Sequence, residues 1–341
     1  MERIFTCTGI HALAYHEFEP LPLKPNQVRI KAEFGAAKHG TEMSFYHGYA
    51  IQRGAYDNQM GVFMRDTPAN RYPFHVGNMV VGHVIETGQN VTRLKKGDRV
   101  LAYSGFATST VVDNASCWIL PDDTPWQSAV CIDPADFAFS AIRDGNVRIG
   151  DGVAVFSLGA IGLMAVQLLQ LAGAYPIIAV DPIAQRRDLA SQFGASHTLD
   201  PLTCDAGVEI RKATQGRGAD VVIEYSGTRQ AMQDALRGVA FGGTVVAGAF
   251  PPPYAAGLDL GAESHMNRPN LIFTRACSDP NRDYPRWDND RIYACCYRLI
   301  LQGKIQGEKV VSPVVGFDEL LSAYPRIADD PASTLKLGVR Y

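Results

Sequence analysis

From Val153 to Val180 the chain reads VAVFSLGAIGLMAVQLLQLAGAYPIIAV, twenty-eight residues without a charge, closed by Asp181. A run of that length is enough to cross a membrane as one helix. Its internal pattern points elsewhere. Val153–Phe156 is a short β-branched and aromatic run bounded by Gly152 and Ser157, which predicts a buried strand. Gly159 and Gly162 open an apolar helical segment, Ile161–Leu171, that Gly173 ends, and Pro176–Val180 starts a second strand. A βαβ unit covered on both faces is apolar throughout.

The same period-reading extends along the chain. Before residue 120 the runs Gln27–Ala32, Val80–Thr87, Leu101–Tyr103, Phe106–Val112 and Cys117–Leu120 are closely spaced strands, which predicts an all-β, barrel-like module. Arg53–Arg71 is polar, with Gly54, Gly61 and Pro68, and reads as a long loop. Ala129–Asp144 reads as a helix. Beyond the βαβ unit, helices at Gln185–Gly194, Ala206–Thr214 and Thr228–Val239 alternate with strands at His197–Leu199, Ala219–Glu224, Gly242–Gly248 and Leu271–Thr274. Six strands alternating with helices predict a doubly wound parallel sheet, giving an α/β chain. Asp290–Gln302 is a further helix, and Lys309–Tyr341 returns to short strands and one helix.

The turn after the first strand of that sheet suggests phosphate chemistry. Free N–H groups and the helix dipole at a helix N-terminus attract a diphosphate, and small residues let it approach the backbone. Ser157-Leu158-Gly159-Ala160-Ile161-Gly162 follows the G-x-G-x-x-G pattern except at its first position, and Asp181 ends the next strand where a ribose-binding acid belongs. Asp181 favours NAD by repelling a 2′-phosphate, and Arg186 and Arg187 follow it closely. Gly159, Ala160, Ile161, Gly162, Asp181 and Arg186, with Ser226 and Gly248-Ala249-Phe250 at later strand ends, are the expected cofactor contacts.

Composition changes this picture little. The 341 residues suggest two domains. Lys and Arg number 32 against 35 Asp and Glu, so nothing suggests a nucleic-acid partner. Seven cysteines without a CxxC pair fit reduced thiols. MERIFTCTGI has no signal-peptide apolar core, so a cytoplasmic location without membrane association is expected.

The order of parts, with Lys96-Gly97-Asp98-Arg99-Val100, Gly105-Phe106-Ala107, Ser157–Gly162, Gly218–Glu224 and Gly242–Val246, resembles the medium-chain dehydrogenase/reductase superfamily along nearly the whole chain. Within it the chain is most similar to polyol and threonine dehydrogenases and, through Gly40–Gly48, to 3-hydroxyethyl bacteriochlorophyllide dehydrogenase. The resemblance implies a GroES-like β-barrel catalytic domain, residues 1–145 and 279–341, around a Rossmann NAD-binding domain, residues 146–278. It implies a homodimer or homotetramer, for which the apolar Val245–Phe250 and Leu271–Thr274 strands leave room.

The departures from that family shape the expected site. Zinc members carry Cys-Gly-Ser/Thr-Asp where this chain has His39-Gly40-Thr41-Glu42, and Gly-His-Glu where it has Gly77-Asn78-Met79. A third ligand falls near Asp133, and the four-cysteine structural zinc loop is missing. A catalytic zinc needs three suitable protein ligands, and these positions supply His39 and Asp133 with a poor third, so a zinc-independent enzyme with no bound metal is expected. By the family pattern Thr41 relays the substrate proton. His39 is the candidate base, Lys38 a donor to the substrate oxygen and Glu42 an orienter. Late in the chain His265-Met266-Asn267-Arg268, Arg275 and Arg286-Trp287-Asp288 form a second polar group, in which Arg268 or Arg275 would hold a substrate carboxylate, phosphate or hydroxyl and Trp287 would stack on a sugar face; ion pairing within the fold explains them equally. The function these readings imply is NAD-dependent interconversion of a secondary alcohol and a ketone on a small hydroxyl-rich substrate such as a sugar or cyclitol. The alternatives are an NADPH-dependent quinone or enoyl reductase and a non-catalytic NAD(P)-binding protein.

Overall fold

The computed structural model describes residues 1–69, 71–276 and 281–341. Two compact units emerge, Met1–Val130 with Val310–Tyr341, and Cys131–Lys309.

The first unit is mainly antiparallel β. Strand Gln27–Ala36 buries Val28, Ile30 and Ala32, and it pairs with Met79–Thr87, with Ser109–Asp113 and, from the far end of the chain, with Gly338–Arg340. Arg99–Tyr103 and Cys117–Ile119 continue the sheet on one side and Val314–Gly316 on the other. A hairpin that the hydrophobic pattern had not indicated, Glu2–Gly9 with Ala12–Phe18, forms a second sheet with Phe74–His75. Phe5, Phe106, Tyr324 and Leu337 meet in the core of this unit. Each large side chain so buried contributes about 1.5–3 kcal/mol, and these four come from both ends of the sequence.

The Arg53–Arg71 segment is not a plain loop. Ala55–Asp57 and Val62–Met64 pair as a short hairpin, turned by the Asp57 carboxylate, which accepts the N–H groups of Gln59 and Met60. Strands of three residues with no buried position leave no period in the sequence, which is why polarity alone suggested a loop.

The second unit is a six-stranded parallel sheet in the order His197–Leu199, Ile177–Val180, Val153–Phe156, Ala219–Glu224, Val239–Ala247, Asn270–Phe273. Val153–Phe156 and Ile177–Val180 are buried at every position, which accounts for their unbroken apolar runs. Between them helix Ala160–Ala172 is stopped by Gly173 in a left-handed conformation. The order reverses direction between Val153–Phe156 and Ala219–Glu224, and such a switch point opens a crevice at the carboxyl ends of the strands. The unit is larger than the expected 146–278, because helix Ile132–Asp144 packs against Ala160–Ala172 and Asn289–Leu301 packs against Ile132–Asp144. The expected boundary at residues 278–279 lies outside the described residues. Among the described residues no helix is long and apolar enough to cross a membrane.

Candidate active site and cofactor turn

In the β unit the chain leaves strand Gln27–Ala36 and turns at Ala37 and Lys38 into helix His39–Tyr46. The C-terminal tail clamps this turn. Ala37 donates its N–H to the Leu337 carbonyl at 3.0 Å, and the buried Lys336 ammonium donates to the Ala37 carbonyl at 2.8 Å. Leu337 returns its own N–H to Nε2 of His39 at 2.9 Å. Nε2 is therefore the acceptor nitrogen, and the neutral ring carries its proton on Nδ1. The Nε2 lone pair is engaged, so it is not open for the general-base role expected of His39.

Glu42 faces inward and is buried. Its Oε1 accepts the N–H of Lys38 at 2.7 Å and of Gly77 at 3.1 Å, and its Oε2 accepts the Tyr324 hydroxyl at 2.7 Å. Burial pushes its carboxyl pKa up, and the Tyr324, Lys38 and Gly77 donors and the Lys336 charge oppose the shift. Burial and the neighbouring carboxylate together push the Tyr324 hydroxyl well up. The expected orienting role of Glu42 thus has a concrete form: it ties the start of the helix to the Gly77 turn and to Tyr324. Thr41, one residue earlier, is exposed, and its hydroxyl has no partner among the described residues. Lys38 is half-buried and enters this geometry through its backbone N–H. Asp133 is buried in the first turn of Ile132–Asp144, in the other unit. Tyr324, Lys336 and Leu337 escaped the sequence reading because no motif links them to residues 37–42.

In the parallel unit Ser157 has φ 73°, the left-handed conformation for which the fingerprint normally supplies glycine. A Cβ on Gly162 would lie 1.9 Å from the Ser157 carbonyl oxygen, so only glycine lets helix and turn approach so closely. A Cβ on Gly159 would meet nothing nearer than the Ser157 hydroxyl at 3.9 Å, which leaves the space over the turn open. The helix has no side-chain cap, and its first bond within the helix runs from Leu163 to Gly159. The N–H groups of Ala160, Ile161 and Gly162 have no acceptor among the described residues, so this turn fits a diphosphate.

Asp181 closes the next strand but turns inward. Its Oδ2 accepts the Leu158 N–H at 2.7 Å and its Oδ1 the Ile183 N–H at 2.8 Å, and it is 3% exposed. Each oxygen keeps one lone pair for a ribose hydroxyl. Arg186 stands 3.7 Å from Oδ2 and offsets part of the charge that was expected to repel a 2′-phosphate. Arg187 is held by the Asp181 carbonyl and by Asp200. At the end of strand Ala219–Glu224, Glu224, buried and pushed up in pKa by that burial, accepts from the Ser226 N–H and hydroxyl and from the Gly227 N–H. Ser226 is therefore engaged in shaping its own turn. Gly248 packs against the Tyr225 ring, where a Cβ would come within 2.3 Å, and Ala249 and exposed Phe250 follow at the same edge of the sheet.

The late polar group is not one site. Arg268 precedes strand Asn270–Phe273 and Arg275 follows it, so the two lie at opposite ends. The guanidinium groups of Arg143 and Arg291 stand 4.2 and 4.1 Å over the Trp287 ring, with Phe139 beside it. Trp287 is thereby engaged within the unit, which corrects its expected role in stacking on a sugar.

Residues 160–281 match the family described as zinc-binding dehydrogenase, and residues 24–122 match the alcohol dehydrogenase GroES-like domain. A D-guloside 3-dehydrogenase of Escherichia coli strain K12 is 42% identical over 344 residues, covering 98% of each chain. The chain belongs to the medium-chain dehydrogenase/reductase superfamily. The crystal structure of 2R,3R-butanediol dehydrogenase from Bacillus subtilis superposes with a TM-score of 0.79 at 21% identity, covering 100% of both chains. That of an E. coli CFT073 alcohol dehydrogenase complexed with NADH gives 0.78 at 18% identity, covering 100% of this chain and 99% of the other. As a member of this superfamily the chain is an α/β dehydrogenase with a GroES-like and a Rossmann-type part, it acts on CH–OH groups of a small molecule, and it uses a nicotinamide cofactor. The alkene-reductase and non-catalytic alternatives fall away.

The superfamily's zinc-binding members imply a metal at the positions of His39, Asn78 and Asp133. The residues do not fit one. His39 has given Nε2 to the Leu337 N–H, and Asn78 offers an amide whose oxygen and nitrogen are both buried without a partner. Among the described residues no group of three or more His, Cys, Asp or Glu side chains is placed to hold a metal ion.

Proposed function

We propose that the protein is an NAD-dependent dehydrogenase that converts a secondary hydroxyl of a sugar or glycoside to a ketone without zinc. The observation that carries this reading is the His39–Glu42 turn. Where zinc members place a cysteine ligand the chain holds His39 with its ring fixed by Leu337, beside the open Thr41 hydroxyl and braced by a buried carboxylate. The relative that matches 98% of the chain is a D-guloside 3-dehydrogenase, which supports a glycoside substrate.

When bound, the nicotinamide supplies the hydride acceptor. Thr41 relays the proton leaving the substrate hydroxyl: its oxygen accepts that proton as its own hydroxyl proton passes to solvent water, to which it is open. The Nδ1–H of His39 donates to the developing oxyanion. Glu42, through Lys38 and Gly77, keeps the first helical turn from shifting as charge develops. A fixed donor of this kind is worth about 2.7–4 kcal/mol and a placed proton acceptor about 10²–10⁴ in rate. NADP is the second reading for the cofactor, favoured by Arg186 beside Asp181. The edge strand Asn270–Phe273, with Leu271 43% and Phe273 70% exposed, supports pairing with a second copy, whereas Val239–Ala247 is interior to the sheet. A cytoplasmic setting fits the mostly buried, unpaired cysteines among the described residues.

The test is spectrophotometric. Methyl glycosides, free hexoses and cyclitols are offered with NAD and, separately, NADP, and reduction is followed at the nicotinamide band. Turnover of glycosides with NAD is the expected result. Turnover confined to non-sugar alcohols would overturn the substrate reading, and a preference for NADP would overturn the cofactor reading.

A further inference from the structure

A cavity lies wholly within the parallel unit, between helices Ile132–Asp144 and Asn289–Leu301 and the carboxyl end of the last strand. It has a volume of about 240 Å³, and Ser140, Arg143, Asp144, Arg275, Asn281, Arg282 and Asp283 supply its polar lining. That is the share of liquid volume of roughly eight water molecules.

Among the described lining residues three arginines face two aspartates. Arg143 is spent on Asp283, with Nε at 2.6 Å and Nη2 at 2.5 Å from Oδ2. Arg282 is directed to Asp144 at 3.8 Å and to the Phe273 carbonyl at 3.2 Å. Arg275 has no partner among the described residues, so the described lining carries one more arginine than aspartate. Two further groups of the lining are unmatched. Ser140 is 8% exposed and its Oγ makes no hydrogen bond, although a serine within a helix usually bonds back to a carbonyl one turn earlier. Asn281 spends its Oδ1 on the Asp283 N–H and leaves a buried Nδ2 without an acceptor. Buried donors are rarely left unsatisfied, because each costs about 1–3 kcal/mol.

One guanidinium, one hydroxyl and one amide N–H₂ without partners among the described residues, around one volume, call for an acceptor with a single negative charge. We propose that this cavity binds a small oxyanion, a carboxylate or a phosphate group, held by Arg275 with Ser140 and Asn281. This site is separate from the Gly159 turn and does not depend on the sugar reading above. Asp144 and Asp283 face the same space, and their pairing with Arg282 and Arg143 is what leaves Arg275 for the ligand.

The experiment is calorimetric titration of the full chain with inorganic phosphate and, separately, acetate, with chloride holding ionic strength constant. Dinucleotide at saturation fills the Gly159 turn, so that phosphate binding there is blocked. Saturable binding of one equivalent of either anion is expected, and which anion binds tells a phosphate ligand from a carboxylate one. Arg275→Gln should weaken that binding by about tenfold or more, and Ser140→Ala by about threefold. Arg217→Gln, an exposed arginine away from the cavity, should leave it unchanged. Absence of saturable binding of both anions, or equal affinity in wild type and Arg275→Gln at unchanged melting temperature, would overturn the proposal.

Discussion

Two helices begin at the two candidate sites of this protein, and they begin differently. Helix Ala160–Ala172 starts open: no side chain caps it, and three N–H groups have no acceptor among the described residues, as a diphosphate site requires. Helix His39–Tyr46 starts closed: the Glu42 carboxylate takes the Lys38 N–H, and Tyr324, Lys336 and Leu337 fix the turn from about 280 to 300 residues away. An open helix end attracts a charged ligand. A closed one holds side chains still against a charge that develops during reaction. The contrast explains why one centre follows a local motif and the other does not.

The largest effect that would break this contrast is at Thr41. Thr41→Ala should lower kcat by about 10²–10⁴ while leaving dinucleotide affinity, measured by fluorescence quenching, as it was; equal loss in both would mean that the residue acts structurally. On the open side, Gly162→Ala forces a Cβ against the Ser157 carbonyl. It should cost about 1–3 kcal/mol in denaturant unfolding and weaken dinucleotide binding, with no such loss if the turn simply widens.

Tyr324→Phe leaves one oxygen of a buried carboxylate without its donor and should destabilise by about 1–3 kcal/mol. The pH dependence follows from the same group. The folded-state pKa of Glu42 is raised above its unfolded value, so the native chain binds more protons in the window between the two. Its contribution to stability is present below the ordinary carboxylate pKa and is lost as pH rises through the folded value. Glu42→Gln should flatten the fall of melting temperature with pH in that window; an unchanged profile would show that Glu42 is not its source. The smallest effect is at Ser157. Ser157→Gly relieves a left-handed φ and should stabilise by about 1 kcal/mol, and a loss there would mean that the Ser157 hydroxyl contributes more than its backbone costs.

How much was legible in the sequence follows the same division. Val153–Phe156, Gly159, Gly162 and Asp181 lie within one βαβ unit, so hydrophobic period and glycine spacing located them. The Asn289–Leu301 helix and all six parallel strands were legible for the same reason, with ends displaced by a few residues. The inward turn of Asp181 was not, because it depends on the backbone of Leu158 in the neighbouring turn. Around His39 the motif showed which residues replace zinc ligands, but not their state. The tautomer of His39 is set by Leu337, and the bracing of Glu42 by Tyr324, and neither pairing leaves a spacing that a sequence reader can recognise.

The central claim is that Thr41 and His39 perform the oxygen chemistry that zinc performs in related enzymes. The most direct measurement is glycoside-dependent reduction of NAD by protein stripped of metal with a chelator and verified by elemental mass spectrometry, compared with the same protein after zinc is restored. Equal kcat in the two, lost in Thr41→Ala, is the expected result. Activity that vanishes on stripping and returns in proportion to bound zinc would contradict it.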